Sequence, residues 1–357
     1  MQRFAAVVAL LLAVPAFAQE TTTNRFGEKV DVNVVLIDAI VTDHQGSQIL
    51  GLTKDDFLVK EGPSEQALDA LDYFTNRKLL NAREQDAPFK VEQVHEDRYF
   101  VFFFDKPLNG ANTLWDEIAN ARDAVRHYVD EEMLPTDKVA IAGHDVRLKI
   151  YTDFTGDKAK IKRALDDVAK FGPGLKTATN DVTGPSILRN LDTDKMINHT
   201  GTVYQGLEVL ANALRGIRAR KNLALFSPGI VEHGEEVRGG VVLNRSRYYE
   251  PMIHALNAAN VTAYSINLQR NAPPDPVFHQ RLEEIASETS GEYFRFGSSF
   301  RPAVNRVEDI NNGYYLLAYR TNKPAGTKGF QRVEVSVRNH PEFKVTARQG
   351  YVYGGQQ

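Results

Sequence analysis

The stretch from Arg98 to Gly110, RYFVFFFDKPLNG, constrains the chain more than any other. Tyr99 to Phe104 are apolar on both alternations and rich in strand-forming residues. This is the pattern of a strand buried on both faces, as at the centre of a parallel sheet covered by helices. Asp105 then stands where the strand ends. In open α/β sheets the binding crevice forms beyond the carboxyl ends of the strands, so a carboxylate there is placed for function. Leu114, Ile118, Ala121, Val125 and Val129 follow at helical spacing, which makes the unit strand, acidic loop, helix.

A chain of 357 residues allows about two domains. Met1 to Ala18 has one basic residue, Arg3, an apolar core from Phe4 to Val14 and Ala16-Phe17-Ala18 as a small-x-small cleavage site. It reads as a secretory signal peptide cut after Ala18. The apolar core is shorter than the roughly 20 residues that span a bilayer, so the mature chain is expected to lack a membrane span and to be secreted or periplasmic. There is no cysteine, which removes disulfides, thiolate metal sites and cysteine nucleophiles. A formal net charge of −3, with both signs interspersed, leaves no electrostatic footprint for nucleic acid.

Residues 19–76 read as β material: Lys29 to Thr42, a short strand near Ile49, a capped helical turn at Leu52 to Phe57, and a strand over Phe57 to Lys60 closed by Glu61-Gly62-Pro63. Residues 77–97 are polar and aperiodic and serve as a linker. Over residues 98–312 strands alternate with helices, the signature of a doubly wound, mostly parallel sheet. Within it, residues 172–201 lack a clear element, which implies a functional loop or a short helix. Residues 313–357 return to strands at Tyr314 to Arg320, Arg332 to Arg338 and Phe343 to Tyr353. Neither flank has strands enough to stand alone. The economical expectation is one β-sandwich built from both flanks with the α/β domain inserted; two separate β modules are the alternative.

Several segments resemble von Willebrand factor A domain proteins of the secreted acidobacterial type. Val32 to Gly46 and Gly51 to Gly62 (GLTKDDFLVKEG) are similar to the β-rich segments that precede the A domain in that family. Tyr99 to Asp105, Asn222 to Gly229, Val261 to Ile266 and Leu282 to Phe294 resemble the A domain itself. Tyr315 to Tyr319 and Arg348 to Tyr351 resemble the family's ending.

The resemblance implies a divalent-cation site at the carboxyl edge. At its positions this chain has Asp105, then Pro107 and Asn109 for two serines, Thr200 or Thr202 for the threonine, and Pro228 for the late aspartate. One carboxylate with a few neutral oxygens makes a poor Mg²⁺ cage. The expectation is no resident cofactor, with weakly held Mg²⁺ or Ca²⁺ at Asp105 as the alternative. What the resemblance implies is a non-enzymatic protein-binding or adhesion module that meets a protein or cell-surface ligand through Asp105, Asn109, Thr200, Thr202 and Ser227. Capping of the following helix or loop is an equal reading of Asp105.

A hydrolase using Ser227 lacks the G-x-S-x-G elbow. The nine histidines include no H-E-x-x-H. A scaffold in which the A domain only supports the sandwich is the third reading.

Overall fold

The computed structural model describes residues 34–75, 97–106, 114–175, 184–217, 219–230, 237–238, 241–242, 245–269, 276–295, 299–321, 323 and 329–353. The expected signal peptide, nearly all of the linker, and Pro107 and Asn109 lie outside the described residues.

The first flank supplies β1 (Val34–Thr42), β2 (Phe57–Glu61), β3 (Ser64–Gln66) and β4 (Leu68–Thr75). The α/β part follows as β5 (Arg98–Asp105), α1 (Leu114–His127), β6 (Asp137–His144), β7 (Leu148–Thr155) and α2 (Lys158–Ala169). Next come α3 (Ile187–Asn190), α4 (Thr193–Asn198), α5 (Val203–Leu214), β8 (Lys221–Ser227) and a two-stranded excursion, β9 (Val237–Arg238) with β10 (Val241–Val242). Then follow α6 (Tyr249–Ala258), β11 (Val261–Asn267), α7 (Pro276–Glu288), β12 (Tyr293–Phe294) and α8 (Arg301–Ile310). The second flank adds β13 (Gly313–Arg320), β14 (Gly329–Val337), β15 (Lys344–Ala347) and β16 (Gly350–Tyr353).

The central sheet has the order β12-β11-β8-β5-β6-β7, parallel except for β7 at one edge. It is a doubly wound sheet whose order runs outward in both directions from its first strand. Every residue of β5 is buried. Tyr99, Val101 and Phe103 join the core under α5, α6 and α7, while Phe100, Phe102 and Phe104 join the core under α1, α2 and α8. An unbroken apolar run is what a strand with a helix layer on each face requires.

The two flanks form one sandwich. In one sheet the order is β15-β1-β13-β4 and in the other β16-β14-β2-β3, so each sheet mixes strands from before and after the α/β part. Val35, Ile37, Tyr73, Tyr315, Leu317, Tyr319 and Val333 fill the space between them. Two separate modules are therefore excluded.

Some expectations fail in instructive ways. The stretch Phe343 to Tyr353 is two strands, because the chain leaves the sheet of β1 at Arg348-Gln349 and enters that of β14. Residues 64–75 hold two strands that sequence reading passed over: Asp69 and Asp72 interrupt the alternation, and the acids face outward on an edge strand. The strand expected near Ile49 is a single bridge, Thr42 to Gln48. In the segment 172–201 the structure shows two short helices, α3 and α4. Asp153 holds the start of α3, its carboxylate accepting from Ile187 N at 2.8 Å and from the Ser186 hydroxyl, and Asp192 caps α4 by accepting from Lys195 N at 3.0 Å.

The chain enters and leaves the α/β part beside one buried ionic cluster at the amino edge of the sheet. Arg98 donates to Asp137 through Nε at 2.7 Å and Nη2 at 2.9 Å, and through Nη1 to Glu308 at 3.1 Å and Asn312 Oδ1 at 3.0 Å. Tyr128 Oη and Leu134 N also donate to Asp137 Oδ2, each at 2.8 Å. Arg98 opens β5 and Glu308 lies in the last turn of α8, so one guanidinium ties the two ends of the insertion together.

Candidate functional site at the carboxyl edge

Asp105, His144 and Ser227 are the last residues of β5, β6 and β8, and register brings them together: Asp105 pairs with His144, and Phe104 with Phe226. All three are buried. The Ser227 hydroxyl donates to Asp105 Oδ2 at 2.7 Å and accepts from Gly229 N at 3.2 Å. His144 Nε2 donates to the carbonyl of Thr200 at 2.9 Å. Burial pushes the His144 pKa below its ordinary value, against the opposing effect of that hydrogen bond, so the ring is neutral at pH 7. With Nε2 carrying the proton, Nδ1 presents a lone pair 3.9 Å from Asp105 Oδ1, beyond hydrogen-bond reach.

Two glycines allow this packing. A Cβ on Gly143 would stand 2.9 Å from the Phe104 carbonyl, and one on Gly206 of α5 would stand 3.1 Å from the His144 ring. The first is closer than a side chain adopts and the second would press the imidazole aside by a few tenths of an ångström, so glycine at these positions lets β6 and α5 close on the cluster.

The threonines divide. Thr200 is buried; its hydroxyl donates to Met196 O at 2.7 Å and accepts from Leu148 N at 3.1 Å. Thr202 is the N-cap of α5, with its hydroxyl accepting from Gln205 N at 3.2 Å in a capping box. Thr200 is the one beside the cluster, and Thr202 belongs to the helix. Asp105, Thr200 and Ser227, expected as partner contacts, are buried and lie beneath the edge. Asn109 falls outside the described residues. His144 went unnoticed in the sequence, although a histidine ending the strand KVAIAGH next to β5 is the signal that would have found it.

Among the described residues, the hydrogen bonds at this edge leave few oxygens for a divalent cation. Such an ion needs several oxygens free to turn toward it, whereas the Ser227 proton is aimed at Asp105, both sides of the Thr200 hydroxyl are engaged and Pro228 offers no side-chain oxygen. Among the described residues no group of three or more His, Asp or Glu side chains is placed to hold a metal. Ser227 also has no imidazole among its hydrogen-bond partners. Its proton points to a carboxylate, not to an imidazole that could accept it and pass it on.

Ser227→Ala removes a buried donor to a buried carboxylate. A loss of about 1–3 kcal/mol is expected in urea unfolding; a loss under about 0.5 kcal/mol would show the hydrogen bond to be immaterial.

This doubly wound sheet with one antiparallel edge strand bears a distant likeness to several solved structures. Solved structures with this likeness include a von Willebrand factor type A protein from Catenulispora acidiphila, at 10% identity and TM-score 0.41, covering 72% of this chain and 66% of that one. Another is the vWF domain of the type V pili tip protein Mfa5 from Porphyromonas gingivalis, at 11% identity and TM-score 0.36, covering 61% and 94%. A third is the human COPII-coat protein Sec24c, at 9% identity and TM-score 0.38, covering 72% of this chain but only 43% of that protein. No protein-family model and no curated protein matches the sequence. Among the described residues no helix is long and apolar enough to cross a membrane.

Proposed function

We propose that this chain is an exported, non-enzymatic binding module whose carboxyl sheet edge meets a protein or cell-surface ligand without a resident metal. The observation that carries the reading is the asymmetry of its connections. In the sequence, residues 106–113, 228–248 and 268–275 separate the carboxyl ends of β5, β8 and β11 from the next described helix, whereas the described returns 259–260 and 289–292 at the opposite edge are short. Long connections on a rigid scaffold are where binding surfaces are built. Apolar side chains also stand out near this edge: Val146 in the β6–β7 turn is 49% exposed and Trp115 in the first turn of α1 is 39% exposed.

At this edge the hydrogen-bonded cluster of Asp105, Ser227, His144 and Thr200 fixes the ends of β5, β6 and β8. In this reading the cluster does structurally what a cation does in a metal-dependent edge. Export rests on the N-terminal leader, with cleavage after Ala18.

A photo-crosslinking amino acid at Val146, compared with one at Arg215 on the opposite edge, tests the reading in cells that secrete the protein. Adducts are expected from position 146, undiminished by EDTA. Adducts from position 215 alone would overturn the binding edge, and loss of adducts in EDTA would overturn its independence of metal.

A further inference from the structure

The structure assigns a second site, away from the carboxyl edge: a cavity of about 460 Å³ between α6, the end of α7 and β14 that is shaped to take an organic carboxylate. Its volume lies in the range of small-molecule sites, about 300–1,000 Å³. The walls that matter are Arg245, Glu250, Ile253, His254, Phe330 and Arg332.

Charge is distributed unevenly across it. On the helical wall Arg245 is consumed by acids, Glu250 at 2.8 Å and Glu288 at 2.9 Å, with its guanidinium 4.7 Å from the centre of the Tyr249 ring. Those two carboxylates are thereby turned to Arg245. On the strand wall Arg332 has one polar partner among the described residues, Gln349 Oε1 at 3.4 Å, and no acid within ion-pair distance. Arg332 stands at the border of this cavity and the neighbouring groove, with most of its donor fork not engaged by the described residues. Beside it the His254 ring stacks on Phe330 at 4.9 Å and 17°, and neither ring nitrogen has a hydrogen-bond partner among the described residues.

A guanidinium fork fits a carboxylate by two parallel hydrogen bonds, and an imidazole stacked on a phenyl ring extends a flat apolar wall with a polar rim. Ile253 and Phe330 supply the surface for a planar or short apolar body attached to the acid. The Gln349 side chain holds the floor of the cavity by donating to the Ser287 carbonyl. The ligand class is therefore a carboxylate on a compact apolar body, met either as a free acid or as the free C-terminus of a peptide ending in an apolar residue.

The test uses the mature chain and two probes followed by calorimetry. One is benzoate; the other is a short peptide ending in phenylalanine, with a free or an amidated C-terminus. Saturable binding of benzoate, lost at least tenfold in Arg332→Gln and weakened in His254→Ala, is expected. Both residues are exposed, so thermal unfolding should be unchanged in the variants. Free peptide binding that benzoate displaces and amidation abolishes would identify a chain terminus as the source, and binding of benzoate alone would identify a free acid. Absence of saturable heat with every probe into the millimolar range, or equal affinity for the amidated peptide, would overturn the assignment.

Discussion

Asp137→Ala is expected to cost about 3–5 kcal/mol of folding stability, read from the midpoint of urea unfolding at unchanged slope. Asp137 is fully buried and accepts four hydrogen bonds: two from the Arg98 fork, one from Tyr128 and one from the Leu134 amide. Removing it strands the Arg98 guanidinium, itself buried, with only Glu308 and neutral oxygens for company. It also leaves the Tyr128 hydroxyl and the Leu134 amide without their acceptor.

The stabilising charge works in both directions. Burial would lower the Arg98 pKa, but the hydrogen bond to Asp137 and its charge outweigh this and raise it; burial first, and Asp137 second, raise that of Tyr128. A loss smaller than about 1 kcal/mol would mean that the pair does no more than offset its own desolvation. Because the cluster sits where the insertion begins and ends, the same variant should also lower the cooperativity between the sandwich and the α/β part, seen as fluorescence and circular dichroism midpoints that no longer coincide.

How much of this was legible in the sequence depended on which physics wrote the signal. β5 was plain because burial on both faces leaves an unbroken apolar run, and α2 because Asp157 caps it and Ile161, Leu165 and Val168 recur at helical spacing. The site was half visible. Asp105 stood out as an acid after an apolar strand, but the hydrogen bond that defines it comes from Ser227, 122 residues away, and depends on strand order. Burial of Thr200 and capping by Thr202 could not be separated by spacing, because what distinguishes them is the Thr200 hydroxyl's contact with Leu148 N and the place of Thr202 at the start of α5. Most obscure was the Arg98 cluster. A lone arginine before an apolar strand looks like a solvated end, and nothing local announces that Glu308 closes on it. The sheet switch at Arg348-Gln349 was hidden for a related reason: residues on either side of it both alternate as strands, and the break is set by which sheet each half joins.

Lys221 carries the second large expectation, a folding stability that rises as pH increases from about 7 toward 10. The side chain is buried at the start of β8, with Nζ donating to the Ile217 carbonyl at 2.6 Å. Burial brings its pKa down from 10.5 to about 7, with Asp38 opposing the shift and Arg348 adding to it. The unfolded chain therefore holds a proton that the folded chain has released throughout this window, and stability climbs with pH wherever the unfolded state binds more protons. Below about pH 7 the ammonium is carried in both states and its burial cost is felt in full, at most roughly 5 kcal/mol for a lowering of this size.

Above pH 10 the buried tyrosines reverse the trend. Burial raises the pKa values of Tyr73, Tyr249 and Tyr319, so their unfolded phenols ionise first. Lys221→Met removes the titrating group while keeping an unbranched apolar stem in the same space. The variant is expected to be more stable than the parent at pH 7 and level with it near pH 10, with a flat profile between. Thermal unfolding of both proteins across that range checks this, and parallel profiles would show that Lys221 keeps its charge in the fold, held by Asp38 and the Ile217 carbonyl despite its burial.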